Sequence, residues 1–314
     1  MLGRCANGVF WMFRYLERSE NTARLLEAGF RMALTRGGAD AHEEWRSVIV
    51  TAGQRTGYEA RHPEYTGPQV FNYMLRDKDN PASVLAMVEL ARTNARMVRA
   101  ALTREVWEAI NGIWMRMREL LARPVRETTL GQVLDSIRRE SNQVRGAMMG
   151  TMLRNEIFNF ARIGKFIERA DNTARILDVK YYVLLPSVSY VGSSLDNVQW
   201  DNVLRSVSAE RAYRWLNAGR MDPRSIGEFL ILDGRFPRSL AFCYDKLRSN
   251  LGMLAREYGC ELATHELLRD ASVQLHDTSI DSIFEQGLHE FIASFIARNQ
   301  QLAQQVQTDF RFID

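Results

Sequence analysis

The chain has 314 residues, of which 46% are hydrophobic and 25% charged, and these fractions are typical of a soluble globular protein with a sizeable core. The formal charge is only +3 and acidic and basic residues are interleaved, so the composition gives no indication of a nucleic-acid-binding surface. No apolar run approaches the ~20 residues of a membrane span, and the run near Val9 is too short for a signal peptide. We therefore expect a cytoplasmic protein that binds neither nucleic acid nor membrane.

The predicted elements are all helical. Apolar residues at helical spacing indicate a first helix from Asn7 to about Leu34 and a short one from Asp40. After a connection rich in Gly, Pro and Tyr, further helices are predicted at 70–75, 83–102, 104–121, 129–150, 155–185, from Asp196, and at 279–310. No run of alternating apolar and polar residues indicates a strand. The chain is therefore predicted to be all-α.

One stretch of the first helix is repeated in the helix predicted at 155–185. The first copy reads Glu17-Arg18-Ser19-Glu20-Asn21-Thr22-Ala23-Arg24, and the second reads Glu168-Arg169-Ala170-Asp171-Asn172-Thr173-Ala174-Arg175. Further along, Trp45, Val48 and Ile49 recur in the same order as Trp200, Val203 and Leu204. The period is far longer than that of a solenoid repeat. We predict one domain over 1–314, a multi-helix bundle of two duplicated, pseudo-symmetric halves at about 1–152 and 153–314.

The repeated stretch places four polar side chains of each copy on one helix face, as projection at about 100° per residue indicates. These candidate site residues are Glu17, Glu20, Asn21 and Arg24 in the first copy, and Glu168, Asp171, Asn172 and Arg175 in the second. Three interpretations are open: a solvated face, a buried network between the halves, and a polar groove with a function. A solvated face would tolerate substitution, so the letter-for-letter repeat of Asn-Thr-Ala-Arg favours the other two.

The chain contains no complete catalytic or metal-binding signature. Phosphate-loop, dinucleotide-binding and GxSxG motifs are absent, and the five histidines show no HExxH or paired ExxH arrangement. The three cysteines have no CxxC spacing and are expected to be free thiols. Two acidic residues per copy suit a hard cation such as Mg²⁺, but the arginines on the same face compete for the same oxygens. We predict no metal and no cofactor, and we assign no catalytic residue.

Several segments resemble the bacterial alpha-E family. They are Met1-Leu2-Gly3-Arg4-Cys5-Ala6-Asn7, the first copy of the repeated stretch, Ala91-Arg92-Thr93-Asn94-Ala95-Arg96, Glu105-Val106-Trp107-Glu108-Ala109-Ile110-Asn111, and Ile167-Glu168-Arg169-Ala170-Asp171. The resemblance implies an all-helical domain of unknown function that occurs together with circularly permuted ATP-grasp proteins, transglutaminase-like proteases and a proteasome-related peptidase. It therefore implies ATP-dependent amide or peptide ligation, with an ATP-grasp amide ligase and a transglutaminase-like protease as partners.

Three functions remain open. The first is a non-catalytic helical accessory or scaffold protein of an ATP-grasp-dependent amide ligase. The second is an enzyme that uses Glu17 and Glu168 as acid and base in a groove between the halves, which would require carboxylates with perturbed pKa values. The third is a protein that binds a small anionic ligand in that groove through its arginines. The three alternatives differ in the surroundings of the two copies of the stretch. The copies face each other across a cavity, pack directly against each other, or face water.

Overall fold

A computed structural model describes residues 3–36, 41–183, 194–218 and 221–312 of the protein, and within these ranges all regular secondary structure is helical. In chain order the helices are α1 (Gly3–Arg36), α2 (Ala41–Thr51), α3 (Arg55–Glu59), α4 (Gly67–Arg76), α5 (Val84–Met97), α6 (Arg104–Leu120), α7 (Glu127–Thr151), α8 (Glu156–Val183), α9 (Ser194–Ser206), α10 (Glu210–Leu216), α11 (Pro223–Ile231), α12 (Leu240–Tyr258), α13 (Ala263–Asp277), α14 (Ile280–Gln286) and α15 (Leu288–Asp309). The predicted all-α fold is confirmed. None of the helices in these ranges is long and apolar enough to cross a membrane.

Helices α1 and α8 form the centre of the bundle. They pack against each other, and each is surrounded by further helices, α1 by α2, α5 and α7, and α8 by α9, α12 and α15. The backbone of Phe10 lies against Gly164, and further along Arg14 contacts Glu168, so the two helices run side by side in the same direction. The repeated stretches are thereby brought next to each other in register.

The close approach of α1 and α8 depends on Gly164. A Cβ atom at this position would overlap the backbone carbonyl oxygen of Phe10, which cannot rotate away as a flexible side chain could. Around this crossing the central helices bury large apolar side chains, among them Val9, Phe10 and Phe160. Because neighbours cover α1 and α8 on most sides, they are buried almost all round.

The order of helix contacts in the first part of the chain recurs in the second. α2 packs on α4, α4 on α5, α5 on α6 and α6 on α7, while α9 packs on α11, α11 on α12, α12 on α13 and α13 on α15. The cross-contacts also match, because α1 touches α9 and α8 touches α2. A duplicated chain would fold with this order of contacts, and the duplication itself stays a prediction.

Three of the predicted helix boundaries were wrong. Helix α1 already includes Gly3, four residues before the predicted start at Asn7. The closing helix predicted at 279–310 is two helices, because Gly287 between α14 and α15 has a φ of 106°, which an α-helix does not accommodate. The helix predicted at 83–102 ends at Met97 and continues only as a short 3₁₀ turn. Ser83 begins it by accepting a hydrogen bond from the backbone N–H of Ala86.

Gly164→Ala tests the contact between the central helices. The added methyl group must push α1 away from α8, and we expect a loss of about 1–3 kcal/mol in the free energy of unfolding despite the better helix propensity of alanine. Gly146→Ala in α7 is the matched control, because open space surrounds that position, and it should stabilise by up to about 1 kcal/mol. Urea unfolding followed by circular dichroism measures both, and equal effects would contradict the packing described.

Candidate functional site

Three of the four acidic residues of the repeated stretch lie at the contact between α1 and α8, shielded from water. The side chains of Glu17, Glu20 and Glu168 are 2%, 0% and 4% exposed. Carboxylates are buried only where cations and hydrogen bonds replace the lost water, because desolvation of a charge costs several kcal/mol. The first question at this site is therefore which cations surround the carboxylates.

The two copies of the stretch pair reciprocally. Arg169 of α8 donates two hydrogen bonds to the carboxylate of Glu17, from Nε at 2.7 Å and from Nη2 at 3.0 Å. Arg18 of α1 does the same to Glu168, from Nε at 2.5 Å and from Nη2 at 2.8 Å. The glutamate of each copy thus pairs with the arginine of the other copy. Such bidentate pairs are the strongest and most directional ion pairs that side chains form.

Further arginines complete the cluster around Glu20. Arg24, one helical turn on, donates to Glu20 from Nε at 2.9 Å and from Nη2 at 2.6 Å. Arg238, which lies just before α12, donates to Glu20 at 2.8 Å and to the amide oxygen of Asn21 at 3.0 Å. Arg145 of α7 also contacts Glu20. These contacts tie α7 and the start of α12 to the central helix α1.

We call this cluster the Glu–Arg network. Its members are the three glutamates Glu17, Glu20 and Glu168 and the six arginines Arg14, Arg18, Arg24, Arg145, Arg169 and Arg238. Positive charges therefore outnumber negative ones in a largely buried region. The excess requires every carboxylate to remain ionised.

The electrostatics of the network keep its carboxylates charged. Burial alone would raise the pKa of Glu17, but the adjacent guanidinium groups of Arg169 and Arg238 outweigh it and hold the pKa far below its usual value. The pKa values of Glu20 and Glu168 are lowered in the same direction, against burial, by their arginine partners. These carboxylates are therefore weak bases with no proton to donate.

Lys165 lies beside the network, and its surroundings disfavour its charged form. Its side chain is nearly buried, and no carboxylate in the described part of the chain forms an ion pair with it. Burial, together with the positive charge of Arg169, lowers the pKa of Lys165 to about 7. The thiol of Cys243 is fully buried nearby, and burial raises its pKa to about 12, so this cysteine remains a protonated thiol.

The second copy of the polar face is more open than the first. Asp171 and Arg175 pair with each other at 2.7 Å, are partly exposed, and line a cavity of about 310 Å³. Arg18, Asn21 and Asn172 line the same cavity. The amide nitrogens of Asn21 and Asn172 are buried and have no hydrogen-bond acceptor among the described residues. Of the eight candidate residues, Glu17, Glu20 and Arg24 belong to the network, Glu168 belongs both to the network and to the wall of this cavity, and the cavity is further lined by Asn21, Asp171, Asn172 and Arg175.

Sequence reasoning missed several members of the network. Arg18 directly follows Glu17, and Arg169 directly follows Glu168. The projection of a single helix placed these two arginines on the face next to that of the glutamates. The parallel, in-register packing of α1 and α8 turns that neighbouring face toward the other copy. Arg238 lies far along the chain, and no sequence signal pointed to it. Within the described ranges, no group of His, Cys, Asp and Glu side chains could hold a metal ion.

A comparison with known families places this chain in a family. A family model described as a predicted alpha-helical domain with a conserved ER motif matches residues 1–310. The chain belongs to the Alpha-E family. In this Alpha-E chain the dipeptide Glu-Arg stands at both places where the central helices pair, Glu17-Arg18 and Glu168-Arg169.

Curated relatives of this Alpha-E chain are longer proteins. The uncharacterized protein Rv2567 of Mycobacterium tuberculosis (strain H37Rv) and the uncharacterized protein Mb2597 of Mycobacterium bovis are each 24% identical to it, over 94% of the chain and 35% of the relative. The chain thus spans about a third of the length of these relatives. A comparison with solved structures found no match.

Glu17→Gln is expected to destabilise the Alpha-E chain by about 3–5 kcal/mol, because the buried guanidinium of Arg169 loses its anionic partner. Glu108→Gln is the matched control, since it makes the same change in an exposed i,i+4 pair with Arg104 and should cost less than about 0.5 kcal/mol. Chemical unfolding compares the two. If Glu17→Gln were as stable as Glu108→Gln, the network would not contribute to stability.

Lys165→Met tests the buried lysine through the pH dependence of stability. Between the folded-state pKa of about 7 and the unfolded-state value of about 10.4, the unfolded chain binds more protons at this site, so stability of the wild type rises with pH. We expect Lys165→Met to be the more stable protein at pH 6, with an advantage that shrinks from pH 7 to pH 10. Lys78→Met, at an exposed site, controls for loss of a lysine. A constant difference would contradict the shifted pKa.

Proposed function

We propose that this Alpha-E chain is a non-catalytic helical accessory protein that acts as a scaffold in ATP-grasp-dependent amide or peptide ligation. The single observation that supports a scaffold best is the closed environment of Glu17 in the first copy of the motif. The carboxylate of Glu17 accepts from Arg169 through both oxygens, is shielded from water and stays ionised. A group in that state holds two helices together and is unsuited to proton transfer.

An enzyme that used Glu17 and Glu168 as acid and base would need carboxylates with raised pKa values. A general acid or base that works near neutral pH needs a pKa raised toward 7 and contact with a substrate. The pKa values of Glu17 and Glu168 are lowered, and arginines occupy their oxygens. These observations favour the scaffold over an enzyme built on the two glutamates.

We also propose that the two halves arose by duplication and that the family's ER motif is the reciprocal pair between them. The matching order of helix contacts and the exchange of Glu and Arg partners between α1 and α8 support this. In such a design a single dipeptide, present twice, satisfies both copies. The repeat is then retained because changing one copy removes the partner of the other.

The accessory role implies an exposed surface that a larger partner recognises. On α10 the side chain of Trp215 is 83% exposed, and the adjacent Leu216 is partly exposed. Exposed tryptophans are unusual on a protein surface and are enriched among the residues that dominate binding energy at interfaces. We propose that α10 contributes to docking of an ATP-grasp amide ligase. The greater length of the curated relatives is consistent with a module that works beside other domains.

The proposal is tested by combining the purified chain with the ATP-grasp amide ligase of the same organism, with and without Mg-ATP, and measuring association and amide formation by mass spectrometry. We expect association, faster ligation when the chain is present, and no product from the chain alone. Trp215→Ala should weaken association at least tenfold without a change in unfolding free energy. Met115→Ala, which removes an exposed apolar side chain from α6, should leave association unchanged.

Two results would overturn the proposal. One is the absence of association under every nucleotide condition with a folded chain. The other is amide formation or cleavage by the chain without the ligase, which would restore the enzyme alternative. Loss of association by both Trp215→Ala and Met115→Ala to the same degree would reject α10 as the docking element.

A further inference from the structure

A second cluster of arginines surrounds a cavity of about 340 Å³ outside the reciprocal Glu-Arg pairs. Its walls come from α1, α7, the end of α9 and the start of α10. The lining side chains are five arginines, two glutamates, two serines and one alanine: Arg24, Arg31, Arg138, Arg205, Arg211, Glu27, Glu210, Ser206, Ser208 and Ala28. The lining residues therefore carry five positive and two negative charges, and Ala28 is the one apolar residue among those named.

The glutamates of this cavity hold its arginines in place. Glu27 accepts a hydrogen bond from Arg31 at 2.7 Å and another from Arg138. Arg205 lies 3.4 Å from Glu210. Because each guanidinium has five N–H donors, such pairs leave further donors directed elsewhere. Two carboxylates outside the lining add to these contacts, because Asp135 pairs with Arg138 and Asp201 with Arg205 at 2.5 Å. Of the five arginines, only Arg211 has no ion-pair partner in the described ranges.

Two arginines of the wall are especially suited to a ligand. Arg24 is nearly buried and held by Glu20, and its remaining Nη1 donates to the hydroxyl of Ser208 at the cavity. Arg211, in contrast, is exposed and forms no ion pair with any residue in the described ranges. A fixed, desolvated guanidinium together with an uncompensated one is an arrangement that recognises oxyanions by bidentate hydrogen bonds.

The backbone at Ser208 is unusual for a serine. Its φ is 57°, in the left-handed region where a side chain costs energy, whereas Gly53, which follows α2 as Ser208 follows α9, has a φ of 68° without that cost. Residues retained in this conformation are concentrated at ligand sites. The serine places a hydroxyl beside Arg24, while Gly53 has no side chain and a Cβ there would lie 3.5 Å from Nη1 of Arg175.

Arg24 and Arg175 hold equivalent positions in the two copies of the stretch, but their surroundings differ. Helix packing at this position therefore does not require a cluster of arginines. Arg175 lines a cavity whose wall contains acidic and amide side chains, among them Asp171, Glu168 and Asn172. The cavity beside Arg24 has arginines instead. Among the described residues no aromatic side chain lines it, and these residues offer no ring for a nucleobase to stack on.

We propose that the cavity between α1, α7 and α9 binds a small, multiply charged phosphate compound of the pyrophosphate or phosphate-ester class. Several guanidinium groups would each contact a different oxygen of the ligand, and the hydroxyls of Ser206 and Ser208 would complete the coordination. The volume exceeds that of one water molecule, about 30 Å³, many times over, which leaves room for two phosphoryl groups. This site is separate from the docking role proposed for Trp215.

The experiment is isothermal titration of the full chain with pyrophosphate at constant ionic strength, with parallel titrations of a sugar phosphate, citrate and sulfate. We expect saturable binding of one equivalent of pyrophosphate or sugar phosphate, and weaker binding of citrate and sulfate. Constant ionic strength is essential, because salt screens charges of this kind. Tighter binding of citrate than of both phosphates would overturn the phosphate class, and no saturable binding of either phosphate would overturn the site.

Variants assign the binding to the cavity. Arg31→Gln and Arg211→Gln alter exposed arginines and should each lower pyrophosphate affinity about tenfold, the loss expected for one charge-assisted hydrogen bond. Arg104→Gln, at an exposed arginine of α6, is the control and should leave the affinity unchanged. An equal loss in all three variants would indicate nonspecific attraction and reject the site.

Ser208→Gly separates binding from folding. The substitution removes backbone strain and a hydroxyl together, so we expect unchanged or higher thermal stability and an affinity for pyrophosphate that falls several-fold. A folded Ser208→Gly protein that binds pyrophosphate as tightly as the wild type would remove Ser208 from the site. If Arg31→Gln and Arg211→Gln also retained full affinity, the proposal would be wrong.

Discussion

The exchange of carboxylate and guanidinium groups between two parallel helices is the interaction on which the rest of this structure depends. The buried carboxylate of Glu17 has Arg169 of α8 as its bidentate partner, and that of Glu168 has Arg18 of α1. Neither pair forms unless the helices are in register, and the register in turn requires the bare backbone at Gly164. Burial of either charge of a pair without its partner is unfavourable, because the charge loses its hydration. The network therefore specifies one alignment of α1 on α8, to which apolar packing alone is less sensitive.

The surplus of arginines over glutamates has consequences beyond the central contact. Arg145 and Arg238 bring charges from α7 and from the start of α12, so helices distant in sequence are tied to the same carboxylates. Lys165 lies beside them without an ion-pair partner among the described residues, and burial together with the charge of Arg169 lowers its pKa. A core that holds this many cations is stable only while its carboxylates stay ionised. The arrangement accounts for the lowered pKa values of these carboxylates.

The candidate functional features of this protein therefore lie at its surface. The exposed Trp215 and the arginine-lined cavity beside Arg24 both lie near the α9–α10 connection, on the side of the bundle where the second part of the chain meets α1. Arg24 belongs to both the buried network and the cavity, because its guanidinium contacts Glu20 on one side and Ser208 on the other. A ligand in the cavity would thus contact a residue anchored in the core. Such anchoring is what orients a binding group before its ligand arrives.

The sequence alone determined the all-helical class, most helix positions and the existence of the repeated polar stretch, because periodicity and letter-for-letter recurrence are local properties of the chain. It also narrowed the candidate site to residues that do lie at or beside the central contact, including Glu17 and Glu168. Only the tertiary structure decided that the arginine beside each glutamate pairs with the other copy, and that Arg238 joins them. These choices depend on the direction, register and separation of two helices far apart in sequence. The break at Gly287 was missed because glycine permits a positive φ without requiring it.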